Sequence, residues 1–428
     1  MKGNRFALVI APILATALIF SACTTPTPEP TPTPEPTPTP EPTLEPIHVG
    51  IPLCISGPFA SDHEEVRRGV VLAYEDINAG GGLLGREIVW HIEDTGNGTM
   101  QEEIIARDRL LQYDPVFIYG SWHADQSVSE IYGAAEPFFV DAIFSQQFID
   151  IYQSDPVRNS NIWNLGGNEI AYSANAFRAV TQHLPNDGVE YRNNKFAIQM
   201  WDNTSAIQFS KYFRDMMEGE GWDCVYEAKH TVEQLEWGVQ LAALREADPS
   251  VIYIPCWTSP PVASFMDQFV KDPWDVWIYV VYSPSLPEYK EILGTRSDGV
   301  LWDLSLGLLP GERGEAWTQH YIDRWGEPAH SADPLWSYDM VMFWANCVEK
   351  VGDPKAYEEI AECFCSEAQD LLSGPWLFDA TTHCSYQDEV GNTLRPFWTY
   401  QTQGGVDVGL FIGEDQVADL ITPVWFSQ

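Results

Sequence analysis

The sequence IHVGIPLCISGPF at residues 47–59, followed by VRRGVVLAYEDINAGGGLLG at residues 66–85, contains the pattern that decides the fold. Residues 47–53 alternate as in a short strand, and a turn at 56–58 leads into residues 66–77, whose apolar positions recur at helical spacing. The glycines at 80–82 end this predicted helix, and residues 86–93 alternate again. A strand, a helix and a strand in this order predict a parallel βαβ unit.

The alternation of predicted strands and helices continues toward the C-terminus. Thr99-x-x-Glu102 is a capping box for a second helix through Leu111. Apolar runs at 116–119 and 138–144 predict buried strands, with a helix at 125–135 between them. Residues 146–168 then lose periodicity. These features predict a first parallel sheet that ends near residue 166.

A second series of elements begins at residue 195. Predicted strands at 195–200, 224–228, 251–254 and 276–281 alternate with helices near 205–218, 232–246 and 261–270. Helices near 312–325 and 335–351 do not continue this rhythm, and closing strands are predicted at 396–400 and 406–411. The sequence therefore predicts an α/β fold with two parallel-sheet cores.

The N-terminal segment predicts export. Lys2 and Arg5 precede an apolar run at 6–20 that is too short to span a bilayer comfortably, and Ser21-Ala22-Cys23 follows. This pattern resembles the bacterial lipobox, in which Cys23 would carry a diacylglyceryl group, although Phe20 stands where leucine is usual. The alternatives are an ordinary signal peptide cleaved nearby and an uncleaved anchor. Residues 24–46 repeat Thr-Pro-Glu-Pro, which favours an extended, disordered tether.

Composition restricts the function. A chain of 428 residues with 45% hydrophobic residues and 17 tryptophans can bury a substantial core, and its length suggests two domains. The formal net charge of -39 argues against nucleic-acid binding, which needs clustered lysine and arginine. After the N-terminal run, no second apolar segment is long enough to span a bilayer.

The cysteines predict disulfides rather than a metal site. If Cys23 carries lipid, seven of the 8 cysteines remain, so at least one is unpaired within the chain. Export permits disulfides, and the cysteines nearest one another in sequence are Cys347, Cys363, Cys365 and Cys384. Cys363-x-Cys365 lacks the two-residue spacing of a zinc knuckle. We therefore predict no metal and no cofactor, and the disulfide connectivity stays open.

Catalytic and nucleotide-binding motifs are missing. Gly80-x-Gly82-x-x-Gly85 matches the dinucleotide fingerprint by letter, but a helix precedes it and a strand follows, which is the reverse of the required order. We interpret it as a helix stop. The sequence has no nucleophile elbow, zinc-protease helix or phosphate loop, and its 9 histidines are scattered. An enzyme hypothesis therefore has no nucleophile or metal to start from.

The loops that follow the predicted strands contain the candidate binding residues. Open α/β sheets bind ligands beyond the carboxyl ends of their strands. The candidates there are Ser56, Phe59, Ser121, Trp122, His123, Ser145, Gln147, Asp202, Trp257 and Tyr282. Taken singly, each tryptophan is better explained by core packing. Hydroxyl, amide and indole groups that recur at strand ends favour a concave small-molecule site.

Three segments together resemble a known family. IHVGIPL at 47–53, SGP at 56–58 and DINAGGGLLG at 76–85, with Asp94 after the next strand, are similar to the branched-chain amino-acid-binding proteins of ABC importers. These are type I periplasmic binding proteins. Gly374-Pro375 and Phe378-Asp379 extend the resemblance to about residue 400. The resemblance implies two Rossmann-like lobes joined by three crossovers, near 165–167, 301–305 and 397–401, with the ligand between the lobes.

These expectations give a domain organisation for the whole chain. The lipoprotein signal peptide occupies residues 1–23 and the tether residues 24–46. The first lobe contains residues 47–166 and, after a return of the chain, residues 303–397. The second lobe contains residues 167–302, and the C-terminal strands at 398–428 return to it.

The resemblance also implies roles for some candidates. Ser121 and the 145–147 loop would bind a ligand carboxylate through hydroxyl and backbone amide groups, and Trp257 would cap the ligand. Two features depart from the family: the tyrosine expected soon after Asp202 is absent, and the acidic residue that pairs the ligand ammonium is replaced around Tyr282. A buried ammonium without a partner is costly. An amide, an aromatic acid and a cation caged by indoles remain open as ligands.

The resemblance implies a function without chemistry on the ligand. The chain is expected to be an extracytoplasmic, lipid-anchored monomer that captures a small polar molecule by hinge closure. It would deliver this molecule to ABC permease and ATPase subunits in separate chains. One alternative is a ligand-sensing module for a membrane signalling protein. The other is an enzyme on the same fold, which lacks a catalytic constellation.

Overall fold

The computed structural model describes residues 44–57, 59–123, 127–133, 135, 137–305 and 307–426. The predicted signal peptide, Cys23 and the tether up to residue 43 lie outside the described residues. Pro58 of the first turn and residues 125, 126 and 134 of the helix predicted at 125–135 also lie outside them. The fold below is built from the described residues alone.

A five-stranded parallel sheet forms the N-terminal half, in the strand order β2-β1-β3-β4-β5. The strands are β1 (Ile47–Leu53), β2 (Ile88–Asp94), β3 (Phe117–Ser121), β4 (Phe138–Asp141) and β5 (Ile162–Asn164). The helices between them are α1 (Ala60–Ala79), α2 (Met100–Leu110), α3 (Ser129–Tyr132) and α4 (Gln146–Ser154). The chain enters each new strand in the same direction because a helix returns it to the starting edge.

The segment that opens the sequence forms the predicted βαβ unit. Ile47 pairs with Ile88 in parallel register, and the alternate residues Val49 and Ile51 of β1 are fully buried. Helix α1 ends at Ala79, and the chain turns through glycines at 81 and 82 with φ of 109° and 82°. A side chain at Gly82 would collide with the backbone of Arg86. The glycine pattern therefore stops a helix, as predicted, and does not open one.

A mixed eight-stranded sheet forms the second core, in the strand order β15-β14-β13-β10-β9-β8-β6-β7. Strands β6 to β10 are parallel to one another, and the last three are antiparallel. A separate antiparallel pair, β11 with β12, completes the described strands. Their bounds are β6 (Lys195–Trp201), β7 (Asp223–His230), β8 (Val251–Ile254), β9 (Trp277–Val281), β10 (Leu301–Leu304), β11 (Gln369–Leu371), β12 (Gly374–Trp376), β13 (Trp398–Gln403), β14 (Val406–Ile412) and β15 (Asp415–Gln416).

Helices cover both sheets. They are α5 (Ile170–Arg178), α6 (Leu184–Asn186), α7 (Thr204–Gly219), α8 (Gly238–Ala247), α9 (Ser259–Phe269), α10 (Pro287–Leu293), α11 (Glu312–Trp325), α12 (Asp333–Val351) and α13 (Tyr357–Ser366). The π-helical turn Ala179–His183 joins α5 to α6. The α/β class with parallel-sheet cores is confirmed.

The chain passes between the two sheets three times. It leaves the first sheet after β5 and enters α5, which packs against α7 and β10 of the second sheet. After β10 it returns, because α12 packs along α1. After the isolated bridge between Asn164 and Cys384 it enters β13, which pairs with β10. The segments predicted as crossovers at 301–305 and 397–401 are thus largely adjacent strands of one sheet.

Several element predictions are wrong. Residues 146–168, predicted to be irregular, form α4 and β5, because one helix of 9 residues and a strand of 3 are too short to show a period. The sequence also missed α5. The strand predicted at 138–144 ends at Asp141, and the helix predicted at 232–246 begins only at Gly238. Element ends depend on tertiary contacts that periodicity does not contain.

A disulfide between Cys347 and Cys363 joins α12 to α13. Of the four neighbouring cysteines, whose connectivity the sequence left open, these two pair, whereas Cys365 and Cys384 are free thiols. The Cys384 sulfur instead lies 3.6 Å from the Asn164 amide nitrogen, beside β5. Only the tertiary position of each helix decides which cysteines meet.

Candidate functional site

A cavity lies where the carboxyl ends of the two sheets face each other. It contains about 680 Å³ of atom-free space, including its open mouth. Pockets for small molecules measure roughly 300–1,000 Å³. Loops after β3, β4, β8 and β9 and helices α1, α5, α7 and α12 supply the lining residues Asp62, Trp122, His123, Ala142, Ile143, Phe144, Tyr172, Ser205, Phe209, Trp257, Val281, Tyr282, Asp333 and Trp336. Open α/β sheets bind ligands at this position.

Two residues at strand ends have a left-handed backbone. Ser121 ends β3 with φ of 59°, and Tyr282 follows β9 with φ of 62°. Such values are uncommon for residues that carry a side chain. Strain of this kind concentrates at binding sites. Each sheet therefore contributes one sharply redirected strand end next to the cavity.

Aromatic rings form most of the cavity wall. Trp122 makes edge contacts with Phe59 and His63, with ring centres 5.1 and 4.9 Å apart. On the opposite side, the Trp257 ring lies 4.7 Å from Trp201 and 5.9 Å from Phe209. These edge-to-face contacts hold the indoles in fixed positions. The wall is mainly apolar.

Two carboxyl groups supply the charge of the cavity. Asp333 is the first residue of α12 and is 1% exposed. Its Oδ2 accepts hydrogen bonds from Tyr282 Oη at 3.2 Å and Ser331 Oγ at 3.1 Å, whereas its Oδ1 has no partner among the described residues. Asp62 reaches the cavity half-buried from the first turn of α1. In the described part of the lining, no lysine or arginine balances them.

The environment disfavours charge on both carboxyls. Burial raises the pKa of Asp333 well above its usual range, and the negative charge of Asp62 raises it further. Burial, with the charges of Glu288 and Glu65, raises the pKa of Asp62 to about 7. A cation placed between these groups would stabilise their ionised forms. A positive charge in the cavity would therefore be stabilised.

A third acidic residue stands at the edge of the cavity. Glu169 is 1% exposed and lies in the segment that connects β5 to α5. Its Oε2 accepts from the Gln146 amide at 2.9 Å, and its Oε1 accepts from Ser205 Oγ at 3.0 Å. Glu169 therefore ties the N-terminus of α4 to that of α7.

A buried polar chain holds His123 in the cavity wall. His123 Nδ1 lies 2.9 Å from Glu103 Oε1 of α2, and its Nε2 lies 3.5 Å from Asp141 Oδ1 at the end of β4. Ser129 Oγ donates to the other oxygen of Asp141. The hydrogen bond to Glu103 orients the imidazole ring, and the Asp141 carboxyl lies near its other nitrogen.

Comparison with known proteins decides the family. A family model described as periplasmic binding protein matches residues 46–383. The chain belongs to the periplasmic binding protein family. The resemblance inferred from its sequence is thereby confirmed. A search of curated proteins found no match.

Solved structures share the fold of this periplasmic binding protein. A branched-chain amino acid ABC transporter protein from Silicibacter pomeroyi is 24% identical, with a TM-score of 0.82, and the match covers 89% of this chain and 100% of that one. LivJ from Streptococcus pneumoniae, in complex with isoleucine, is 15% identical with a TM-score of 0.70 over 85% and 97% of the two chains. An ABC transporter solute-binding protein from R. palustris, in complex with benzoate, is 16% identical with a TM-score of 0.69 over 87% and 98% of the two chains. The type I periplasmic binding fold is confirmed.

Four of the ten predicted site residues line the cavity of this periplasmic binding protein: Trp122, His123, Trp257 and Tyr282. Phe59 packs behind Trp122. Gln147 and Ser145 lie at the start of α4, where Ser145 Oγ accepts from the Gln147 amide at 3.1 Å. Ser121 is buried at the end of β3. The structure does not place these four in the lining.

The remaining two predicted residues are exposed. Ser56 Oγ donates to Asp94 Oδ2 at 2.8 Å, which closes the turn between β1 and α1. Asp202 pairs with Lys229 Nζ at 2.9 Å. Both side chains satisfy their hydrogen-bonding or charge requirements locally.

Sequence reasoning missed the lining residues that come from helices. Asp62, Tyr172, Ser205, Phe209, Asp333 and Trp336 all lie on α1, α5, α7 or α12. Acidic residues in the first turn of a helix are common because they complement its dipole, so Asp62 and Asp333 carry no distinct signal in the sequence. The expected acidic residue is missing around Tyr282 in sequence, but Asp333 is hydrogen-bonded to Tyr282 in space.

Two further properties follow from the described residues. They contain no group of three or more histidine, cysteine, aspartate or glutamate side chains arranged to hold a metal ion. None of the helices in the described ranges combines the length and apolar composition that a membrane span requires.

Proposed function

We propose that this periplasmic binding protein is the extracytoplasmic, lipid-anchored solute receptor of an ABC importer. It captures one small polar molecule in the cavity between its sheets and makes or breaks no bond. The observation that carries this proposal is the aromatic cavity at the facing carboxyl ends of the two sheets.

Capture proceeds by hinge closure of two lobes. The first lobe consists of residues 47–166 and 303–397, and the second of residues 167–302 and 398–428. The cavity draws its lining from both, with Trp122 on one side and Trp257 on the other. A ligand that contacts both sides stabilises the closed state over the open one. The Tyr282–Asp333 hydrogen bond already joins the two sides.

The anchor and the transport partners complete the proposal. Cys23 carries the lipid, and the tether at 24–46 holds the monomeric receptor away from the membrane surface. Separate permease and ATPase chains accept the ligand. Replacement of Cys23 by serine (Cys23→Ser) should move the protein from the membrane to the soluble fraction, and an unchanged distribution would contradict lipid attachment at this residue.

A solute screen tests the binding function. A ligand that prefers the native state raises the Tm of the purified full chain, by an amount equivalent to about 2.7 kcal/mol at a hundredfold excess over Kd. Trp257→Ala should abolish the shift. The control is Trp274→Ala, whose ring lies 4.8 Å from the Arg245 guanidinium and outside the cavity lining. A broad screen without any shift, or an unaffected Trp257→Ala variant, would overturn the proposal.

A further inference from the structure

The cavity discriminates among ligands by charge. We propose that it binds an organic cation without a carboxylate, such as an amine or a quaternary ammonium on an apolar body. This inference rests on the proposed solute-binding function and names the class of solute. It selects one of the three ligand types that the sequence leaves open.

The charge of the lining matches a cation. Asp62 and Asp333 face the cavity, and the described lining contains no lysine or arginine. An anionic ligand would enter a partly desolvated space that already holds two acidic groups, without a counter-charge to offset the cost. A positive ligand supplies the counter-charge that both carboxyls lack.

Asp333 provides an open acceptor for that ligand. Tyr282 and Ser331 satisfy its Oδ2, whereas its Oδ1 is buried and has no partner among the described residues. A buried acceptor without a partner costs free energy. An ammonium N–H donor, or a quaternary ammonium in close contact, would remove this cost. The unpaired oxygen therefore marks where the positive group sits.

By resemblance, Ser121 and the amides of the 145–147 loop would bind a ligand carboxylate. The Ser121 hydroxyl has no partner among the described residues, but the protein itself occupies two of the amides. Here the Gln146 amide donates to Glu169 Oε2 at 2.9 Å, and the Gln147 amide donates to Ser145 Oγ at 3.1 Å. An internal carboxylate thus takes one of the amides that would otherwise hold an external one. Isoleucine and benzoate, the ligands of the two solved complexes, both carry a carboxylate.

The walls suit the rest of the ligand. Trp122, Trp257 and Trp336 present indole rings, and Tyr172, Tyr282, Phe144 and Phe209 add further aromatic surface. The faces of such rings attract ammonium groups, and tryptophan attracts them most strongly. An aromatic cage with carboxylates at its edge therefore recognises a cation and its apolar substituents together.

Matched probes test the inference. The probes share one phenyl ring and differ in the charge of the attached group. This group is positive in phenethylamine, zwitterionic in phenylalanine, negative in 3-phenylpropionate and neutral in 2-phenylethanol. Benzyltrimethylammonium adds a quaternary cation. Titration calorimetry with the purified full chain should detect the two cations and show affinity for the other three at least about tenfold weaker, which corresponds to about 1.4 kcal/mol.

Variants assign the effect to the two carboxyls. Asp333→Asn should weaken cation binding at least about tenfold, or about 1.4 kcal/mol. Asp62→Asn should also weaken cation binding. Because Asp62 is only half-buried, this variant disturbs the fold less, and it provides the test if Asp333→Asn does not fold. The control is Asp114→Asn, because Asp114 is 74% exposed and pairs with Lys355 outside the cavity.

The outcomes separate the inference from the function on which it rests. Binding of the acid or the zwitterion but of neither cation would overturn the cation inference and leave solute binding intact. Cation binding that both cavity variants retain at full strength would also overturn it. If no probe binds and a broad solute screen also detects no ligand, both the proposed binding function and the cation inference are wrong.

Discussion

Asp62 and Asp333 reach the cavity from the first turns of two different helices. Each is unremarkable within its own helix, since acidic residues complement the helix dipole there. Their surroundings change their behaviour, because burial and the negative charges of neighbouring carboxylates raise the pKa of both groups and disfavour ionisation. At the residue scale, this pair makes the cavity sensitive to both ligand charge and pH.

Asp62→Asn is expected to change how thermal stability depends on pH. Because the pKa of Asp62 is raised to about 7, the folded protein keeps a proton that the unfolded chain loses near pH 4. This group therefore destabilises the wild-type protein progressively as pH rises from about 4 to about 7, in the absence of added ligand. Asparagine does not titrate, so the Tm of the variant minus that of the wild type should increase over this range. A difference that stays constant with pH would contradict the prediction.

Tyr282→Phe removes one of the two hydrogen bonds to Asp333 Oδ2. We expect the free energy of unfolding, measured in urea, to fall by about 1–2 kcal/mol, because a buried carboxyl loses a donor. Tyr226→Phe is the control, since the Tyr226 hydroxyl donates to Gln199 at 3.4 Å, is partly exposed and lies outside the cavity. An equal decrease in the free energy of unfolding for both variants would show that the Tyr282–Asp333 hydrogen bond stabilises the protein no more than an ordinary surface hydrogen bond.

At the scale of elements, the close packing of α1 and α12 places both carboxyls. Gly69 in α1 meets the backbone of Pro334 in α12, and a Cβ at position 69 would collide with it. Pro334 directly follows Asp333. The small residue therefore sets how near the start of α12 lies to α1, and with it the position of Asp333 in the cavity.

Gly69→Ala should push these helices apart. Overpacking of this kind costs typically about 1–3 kcal/mol, which outweighs the roughly 1 kcal/mol that alanine gains over glycine in a helix. Gly219→Ala at the end of α7 is a matched control, because no atom lies within 4 Å of a Cβ built there. Thermal unfolding should show a lower Tm for the first variant alone. A Gly69→Ala protein as stable as the wild type would mean that the helices adjust without strain.

At the scale of the whole molecule, two sheets share one cavity and three connecting segments join them. Described contacts that join the two halves include the Tyr282–Asp333 hydrogen bond and the Gln146–Glu169 hydrogen bond. Relative motion of two such halves is the ordinary expectation when the contact between them is small. The net charge of -39 gives the whole chain a field that attracts cationic solutes.

Ligand binding should make the molecule more compact. In solution scattering, a saturating ligand found in the screen should reduce the radius of gyration, because it stabilises the closed arrangement of the two halves. The Trp257→Ala variant, measured at the same ligand concentration, should keep the larger radius. Identical scattering curves with and without a tightly bound ligand would rule out closure as the mechanism.

The sequence by itself determined the class of fold and the family. Residues 47–94 carry the strand, the helix, the glycine stop and the next strand within one short segment, so their pattern does not depend on distant contacts. The same local logic found the strand ends that supply Trp122, Trp257 and Tyr282 to the cavity. Strand periodicity locates the strand ends, and open α/β sheets bind ligands beyond the carboxyl ends of their strands, so these residues could be predicted from local sequence.

Only the tertiary structure decided the charge of the site. Asp333 stands 51 residues after Tyr282, to which it is hydrogen-bonded, and Asp62 lies on a helix near the other end of the chain. Local patterns cannot bring these residues together, because their proximity results from the packing of α12 on α1 and from the return of the chain to the first sheet. Glu169 likewise receives its two hydrogen bonds from distant segments, through the Gln146 amide and the Ser205 hydroxyl. Local periodicity in the sequence thus determines the fold class, whereas contacts between distant segments determine the charge of the cavity lining.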